Sequence, residues 1–102
     1  DIHHVAQIDS EPNVIRGNHY HKETTQHMLM ISGSMEYWYK NVGSNEEPKV
    51  VHLKKGDLVS TPPLEIHTLK IGNDGNSFVV FSSGLRGGKD YEADTFRVDP
   101  II

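Results

Sequence analysis

The stretch Gly17-Asn18-His19-Tyr20-His21 decides how this sequence is interpreted. Its composition and its turn-forming flanks are typical of a β-strand, and side chains alternate across a strand, so His19 and His21 face the same way. Two imidazoles on one face can hold one metal ion, or exchange a proton with one substrate near neutral pH. We therefore expect the functional site at this strand.

A second stretch, from Gly56 to His67, supplies a third histidine. Pro62 and Pro63 fix the backbone where the chain enters the strand of His67. Gln26 opens the strand that follows the polar turn after His21 and adds a neutral amide. If the strand of His67 lies beside that of His19 and His21, these side chains form one pocket.

The rest of the chain alternates between short runs rich in strand formers and turn signals, which predicts an antiparallel all-β domain with little or no helix. We expect about nine short strands closed as a jelly-roll β-barrel, because closure removes exposed sheet edges. Turns are predicted at 32–34 and 72–75, and a glycine-rich tail at 84–90. The predicted strands are His3–Ile8, Val14–Ile15, Asn18–Lys22, Gln26–Ser32, Met35–Tyr39, Val50–Leu53, Asp57–Ser60, Ile66–Ile71, Ser77–Ser82 and Thr95–Val98.

Length and composition limit the function classes. The 102 residues suit a single domain spanning 1–102. The net charge of −4 with scattered cations argues against nucleic-acid binding, and no apolar run approaches the length of a membrane helix. There are no cysteines, which is compatible with a cytoplasmic protein. Because the sequence begins at Asp1 without an initiator Met, we expect a trimmed, processed or excised polypeptide, and we expect no signal peptide within these residues.

The two histidine stretches resemble the two sequence motifs of the cupins. The first motif corresponds to His19-x-His21-x4-Gln26-x6-Gly33, and the second to Gly56-x5-Pro62-x4-His67. The resemblance covers residues 13–71 and implies a cupin jelly roll. The chain departs from the motifs at four positions: Gln26 replaces the usual Glu, Asn13 and Leu64 replace Gly, and Ile71 replaces Asn.

Within the cupins, Arg16-Gly17-Asn18-His19 is similar to the Arg-Gly-x-His segment of dTDP-4-keto-6-deoxyglucose 3,4-ketoisomerases and dTDP-4-dehydrorhamnose 3,5-epimerases. Residues 15–33, with the tail 94–96, also resemble the cupin domain of bifunctional capsular-polysaccharide reductases. The first resemblance implies that His19 or His21 is the base and that Arg16 contacts sugar or phosphate. In a regular strand Arg16 faces away from His19, so its entry into the pocket requires a bulge at Gly17.

These observations give a defined set of candidate residues. The expected catalytic groups are His19 and His21, with a tyrosine, Tyr37 or Tyr39, as the acid that protonates an enolate oxygen. Arg16, Gln26 and His67 are expected to bind substrate. His19, His21, His67 and Gln26 are also the candidate ligands of one divalent transition metal (Zn, Ni, Fe, Mn or Cu), whose presence stays open; no organic cofactor is expected. His3, His4 and His52 have no informative spacing and receive no role.

Three functions remain open on this basis. The first is an enzyme of polysaccharide biosynthesis that isomerises or epimerises a nucleotide-linked keto sugar, using a histidine base tuned near pH 7. The second is a metal-dependent oxygenase or other metalloenzyme, which Gln26 disfavours because oxygen-activating iron prefers a carboxylate ligand. The third is a non-catalytic cupin that binds a small molecule or sugar. Trp38 on an outer face also predicts a homodimer.

Overall fold

The computed structural model describes residues 2–83 and 93–102, and residues 2–83 contain strands and turns but no helix. Every strand pair in the described residues is antiparallel, which confirms the predicted all-β class. The strands are β1 (Ile2–Ser10), β2 (Ile15–Tyr20), β3 (Thr25–Asn41), β4 (Lys49–Lys54), β5 (Leu58–Thr61), β6 (Glu65–Ser83) and β7 (Phe96–Arg97).

Two long strands, β3 and β6, form the frame of the fold. They pair from Thr25 opposite Ser83 to Asn41 opposite Glu65. The first half of β3 and the second half of β6 are flanked by β5 and β1. Their other halves are flanked by β4 and β2, and β7 pairs with the outer edge of β2. The buried core contains side chains from both halves, namely Met28, Met30, Met35, Tyr37, Leu53, Leu69, Ile71, Phe78 and Val80.

The predicted closure into a barrel is wrong for the described strands. The sheet runs in the order β4-β3-β6-β2-β7, and the strands at its two ends do not pair with each other. The two halves instead enclose the core by facing each other. A hydrogen bond between the hydroxyls of Tyr37 and Thr61 joins the half that contains β4 to the half that contains β5.

The predicted turns at 32–34 and 72–75 are also wrong, because β3 and β6 continue through both segments. The register shifts between Met30 and Ser32 and again between Gly33 and Met35, so the turn-forming residues produce bulges. Gly33 and Gly75 have φ of 73° and 72°, and a Cβ on Gly33 would lie 2.1 Å from the Gly75 oxygen. Glycine therefore lets both strands distort together while their pairing continues.

The strand with the two histidines is a single element containing one bulge. The predicted strands Val14–Ile15 and Asn18–Lys22 merge into β2, and the register against β6 shifts between Gly17 and His19. Gly17 and Asn18 have φ of 94° and 58°. The bulge required to bring Arg16 toward the pocket is therefore present.

The C-terminal residues return to the site. The predicted strand Thr95–Val98 is observed as β7, which pairs with β2 through Arg97 opposite His19 and Phe96 opposite Tyr20. The predicted glycine-rich tail at 84–90 lies outside the described residues. No helix among the described residues has the length and apolarity needed to cross a membrane. The Trp38 side chain is half-buried and its indole N–H donates to Glu36 at 2.9 Å, while the homodimer stays a prediction.

Candidate functional site

The site is built on a row of side chains that crosses four neighbouring strands. Tyr39 on β3 lies opposite His67 on β6, His67 lies opposite His19 on β2, and His19 lies opposite Arg97 on β7. Directly opposed residues project from the same face of a sheet, so this row presents its side chains together. The ring centroids of His19 and His67 are 4.5 Å apart.

His21 follows the end of β2 and completes the cluster. Its ring centroid lies 5.1 Å from that of His19 and 5.5 Å from that of His67. The side chain is only 1% exposed, and Nδ1 lies 3.0 Å from the main-chain oxygen of Asp94. One nitrogen from each of the three histidines falls within 4.8 Å of the others. The structure thus brings together the three histidines that the two motifs predicted.

A cavity of about 470 Å³ lies against this cluster. His19, His67 and Gln26 line the cavity, whereas His21 is not one of its lining residues. The remaining lining is mostly apolar and includes Ala6, Ile8, Met28, Leu69, Phe78 and Val80. No Asp or Glu is among the described residues that line the cavity. Its volume suits a small molecule, and the absence of carboxylates from the lining favours a neutral or anionic one.

Besides His19 and His67, three cationic or titratable side chains line the cavity: Arg16, Arg97 and His4. Arg16 is held by a hydrogen bond from Nε to the Ser10 hydroxyl oxygen at 2.9 Å. The sequence did not indicate Arg97, because its place beside His19 depends on β7 pairing with β2, a strand far away in the sequence. It also assigned no role to His4, although the alternation of β1 places His4, Ala6 and Ile8 on one face.

The electrostatics of the cluster differ from the expectation of a base tuned near pH 7. Burial, followed by electrostatic interactions with His21 and Arg97, lowers the pKa of His19 from 6.5 to about 4. Burial and the neighbouring His19 and His21 lower the pKa of His67 from 6.5 to about 3. Both imidazoles are therefore neutral at pH 7, with a lone pair available to accept a proton or bind a metal.

The two candidate tyrosines lie beside the cluster but do not line the cavity. The Tyr37 ring is nearly parallel to that of His67, with centroids 6.3 Å apart. Its hydroxyl donates to a carboxylate oxygen of Glu65 at 2.9 Å, and burial raises the pKa of Tyr37. Burial likewise raises the pKa of Glu65. The role of Tyr37 or Tyr39 as an acid stays a prediction.

The histidine cluster has the chemistry of a metal site. Three imidazoles with nitrogens within 4.8 Å of one another fit the donor set of Zn²⁺ and similar ions. The amide of Gln26 lines the same cavity and is the predicted fourth ligand. Such an ion would supply Lewis-acid polarisation of a carbonyl oxygen.

Asn13 and Leu64, which replace motif glycines, adopt the backbone conformation that glycine usually provides. Their φ values are 62° and 67°, in the left-handed region. The Leu64 N–H also donates to the His21 main-chain oxygen at 2.7 Å, so the left-handed residue is joined directly to the site. The chain therefore keeps the motif backbone although the residues differ.

Residues 2–87 match the model of the polysaccharide biosynthesis C-terminal domain family. No curated protein is significantly similar to the chain in sequence.

Solved structures of low sequence identity share the fold. The capsular polysaccharide assembling protein CapF from Staphylococcus aureus is 19% identical with a TM-score of 0.86, over 98% of this chain and 28% of that one. The sugar 3,4-ketoisomerase QdtA from Thermoanaerobacterium thermosaccharolyticum, in complex with TDP, is 24% identical with a TM-score of 0.77, over 96% of this chain and 68% of that one. The 3'-monoepimerase ChmJ from Streptomyces bikiniensis, in complex with dTDP-quinovose, is 16% identical with a TM-score of 0.81. The match covers 98% of this chain and 53% of that one.

The chain thus spans little more than a quarter of the length of CapF, so the likeness to CapF concerns one part of that protein. The family match covers most of this chain, and the fold is that of the cupins. The chain belongs to the polysaccharide biosynthesis C-terminal domain family.

Proposed function

We propose that this domain isomerises or epimerises a nucleotide-linked keto sugar in polysaccharide biosynthesis by transferring protons through its histidines. The proposal rests on one observation: His19 and His67 line a cavity. Arg16 and Arg97 line the same cavity. That arrangement combines proton acceptors with cations suited to a diphosphate.

The reaction needs a base that is neutral before it acts. A proton leaves the carbon next to the sugar carbonyl and binds an imidazole nitrogen, while the electrons of the broken C–H bond form an enolate. Delivery of a proton to the opposite face of the enolate, by a second acid or by solvent, gives the epimer. Return of the proton to the former carbonyl carbon, with a proton shift between the oxygens, gives the ketoisomer. His19 and His67 line the cavity in their neutral forms, so both are available for this proton transfer.

An anionic substrate also makes His19 a better base. Arg97 is one of the groups that lower the pKa of His19. A bound diphosphate that neutralises Arg97 removes that contribution, so the pKa of His19 rises when substrate binds. Substrate binding and base strength are thereby linked.

The relatives support the substrate class. QdtA is a sugar 3,4-ketoisomerase with bound TDP, and ChmJ is a 3'-monoepimerase with bound dTDP-quinovose. The family description names polysaccharide biosynthesis. We propose a nucleotide sugar as the ligand of this chain because two arginines line its cavity and no Asp or Glu is among the described lining residues.

A metal on the three histidines is a second candidate feature of the same site. The neutral state of His19 and His67 and the close approach of the three rings favour it. The oxygenase hypothesis needs a carboxylate ligand for the usual iron triad, and Gln26 supplies only an amide oxygen. If the three histidines bind a metal, we therefore propose a metal-dependent isomerase rather than an oxygenase.

Product analysis tests the proposed function. The purified chain is incubated with dTDP-4-keto-6-deoxyglucose, with oxygen uptake recorded in parallel, and the sugar is examined by NMR. We expect a 3-keto isomer or a C3 or C5 epimer, with no oxygen consumed. Oxygen consumption together with stoichiometric iron would instead establish the oxygenase, and tight binding without any product would establish the non-catalytic alternative.

A further inference from the structure

We propose that Asp94 is a positioning residue that fixes the proton of His21 on Nδ1 and leaves the lone pair on Nε2. The inference concerns the location of one proton and rests on the proposed function only for its consequence in turnover. Asp94 comes from the C-terminal segment, 73 positions from His21, and is 4% exposed.

The side chain of Asp94 holds the turn that follows His21. One carboxylate oxygen accepts the N–H of Lys22, and the other accepts those of Glu23 and Thr24, each at 3.0 Å. Three consecutive backbone amides therefore converge on one carboxylate. Charge-assisted bonds of this kind are stronger than those between neutral groups, so the turn and Asp94 form one rigid unit.

The main chain of Asp94 selects the tautomer. Nδ1 of His21 lies 3.0 Å from the Asp94 carbonyl oxygen. A carbonyl oxygen only accepts hydrogen bonds, so Nδ1 must carry the proton to make this bond. In a neutral imidazole the lone pair then resides on Nε2. Burial of the ring at 1% exposure makes the alternative costly, because it would leave two acceptors facing each other without water.

Contacts around Asp94 keep its carbonyl in place. The rings of Tyr20 and Phe96 stack with centroids 5.4 Å apart, and Nζ of Lys22 lies 4.5 Å from the Phe96 ring centroid. The Val98 N–H donates to the Asn18 oxygen at 2.8 Å. The C-terminal segment thus contacts residues that precede and follow His21 in the chain. These contacts hold the Asp94 carbonyl in position.

The tautomer can be observed directly by NMR. The full chain is labelled with ¹⁵N in its histidine rings and treated with chelator, and two-bond ¹H–¹⁵N spectra are recorded at pH 8. Histidine-to-glutamine variants assign the signals. We expect a protonated Nδ1 and an unprotonated Nε2 at His21. In Asp94→Ala we expect the two nitrogen shifts of His21 to move toward each other as both tautomers become populated.

Turnover provides the second measurement. In Asp94→Ala we expect kcat to fall by about 10–100-fold, the usual effect of losing a group that orients an active-site histidine, with KM little changed. Asp94→Asn keeps an acceptor oxygen and should restore part of the loss. Asp99→Ala, which removes an exposed aspartate from the same segment, is the matched control and should change neither measurement.

A proton on Nε2 of His21 in the unmodified chain would overturn the proposal, whatever the variants do. So would a folded Asp94→Ala protein in which the His21 shifts are unchanged. If Asp94→Ala does not fold, the His21 nitrogen shifts of Asp94→Asn and of the unmodified chain provide the test. A fixed Nδ1–H tautomer in a chain that leaves keto sugars unchanged would support the positioning role and contradict the proposed function.

Discussion

His19 lies directly opposite His67 on the neighbouring strand, and this pairing depends on a bulge. Gly17 pairs with Thr68, so in an unbroken ladder Asn18 would be the residue opposite His67. The bulge inserts Asn18 as an extra residue, and His19 takes the position on the face that His67 shares. One backbone irregularity therefore decides which side chain joins the cluster.

Substitution of Gly17 by alanine tests the bulge. Gly17 has a φ of 94°, and a Cβ there would lie 2.6 Å from the His67 main-chain oxygen. Left-handed strain and the steric clash together should cost about 2–4 kcal/mol of unfolding free energy. Guanidinium denaturation measures this value.

Gly56→Ala is the control for that substitution. Gly56 has a φ of 90°, but a Cβ added there would meet no atom within 4 Å, so only strain of about 1–2 kcal/mol is expected. Equal losses in the two variants would contradict the close approach of Gly17 to β6.

The buried histidines predict a pH dependence of stability. Above pH 6.5 both folded and unfolded chains hold His19 and His67 neutral. Below it the unfolded chain binds protons that the folded chain does not, because the folded pKa values are lowered to about 4 and 3. Stability should therefore fall as pH decreases from 6.5 toward 4, by up to about 1.4 kcal/mol per pH unit for each group.

Denaturation at several pH values, compared with His67→Gln, measures that slope. The variant should show a shallower decline because one of the two histidines no longer contributes. His52→Gln, which changes an exposed histidine, should keep the slope of the unmodified chain. A slope that His67→Gln leaves unchanged would show that His67 is not buried in its neutral form.

Leu64→Gly should stabilise the chain. The backbone of Leu64 has a φ of 67° and its side chain is 50% exposed, so little packing is lost. Relief of left-handed strain, less the greater entropy of glycine in the unfolded chain, should give a net gain of about 0.5–1 kcal/mol. Leu58→Gly, at a strand residue that is 56% exposed, should destabilise. Thermal unfolding of both variants measures the difference, and a loss in both would refute the strain at Leu64.

Metal binding can be measured separately from activity. We expect one Zn²⁺ or Ni²⁺ per chain by calorimetry, with affinity reduced more than about tenfold in His21→Gln, since even groups that only orient a ligand have effects of that size. His52→Gln should bind as the unmodified chain does. Retention of full affinity by His21→Gln would exclude the three-histidine site.

The sequence predicted the strand class and the three histidines because both depend on local spacing. It did not predict that β3 and β6 continue through 32–34 and 72–75, since Gly, Ser and Asn favour bulges as well as turns. Arg97 and Asp94 were missed as site residues because long-range pairing places them. The lowered pKa values of His19 and His67 follow from burial, which no local pattern reports.

Solvent deuterium exchange tests directly whether the histidines transfer a proton to and from the sugar. The chain is incubated in D₂O with dTDP-4-keto-6-deoxyglucose, and deuterium next to the carbonyl is followed by NMR. We expect the unmodified chain and His52→Gln to catalyse exchange, and we expect exchange to be lost in His19→Gln and His67→Gln. Equal exchange in all four proteins, or none with the unmodified chain, would contradict this expectation.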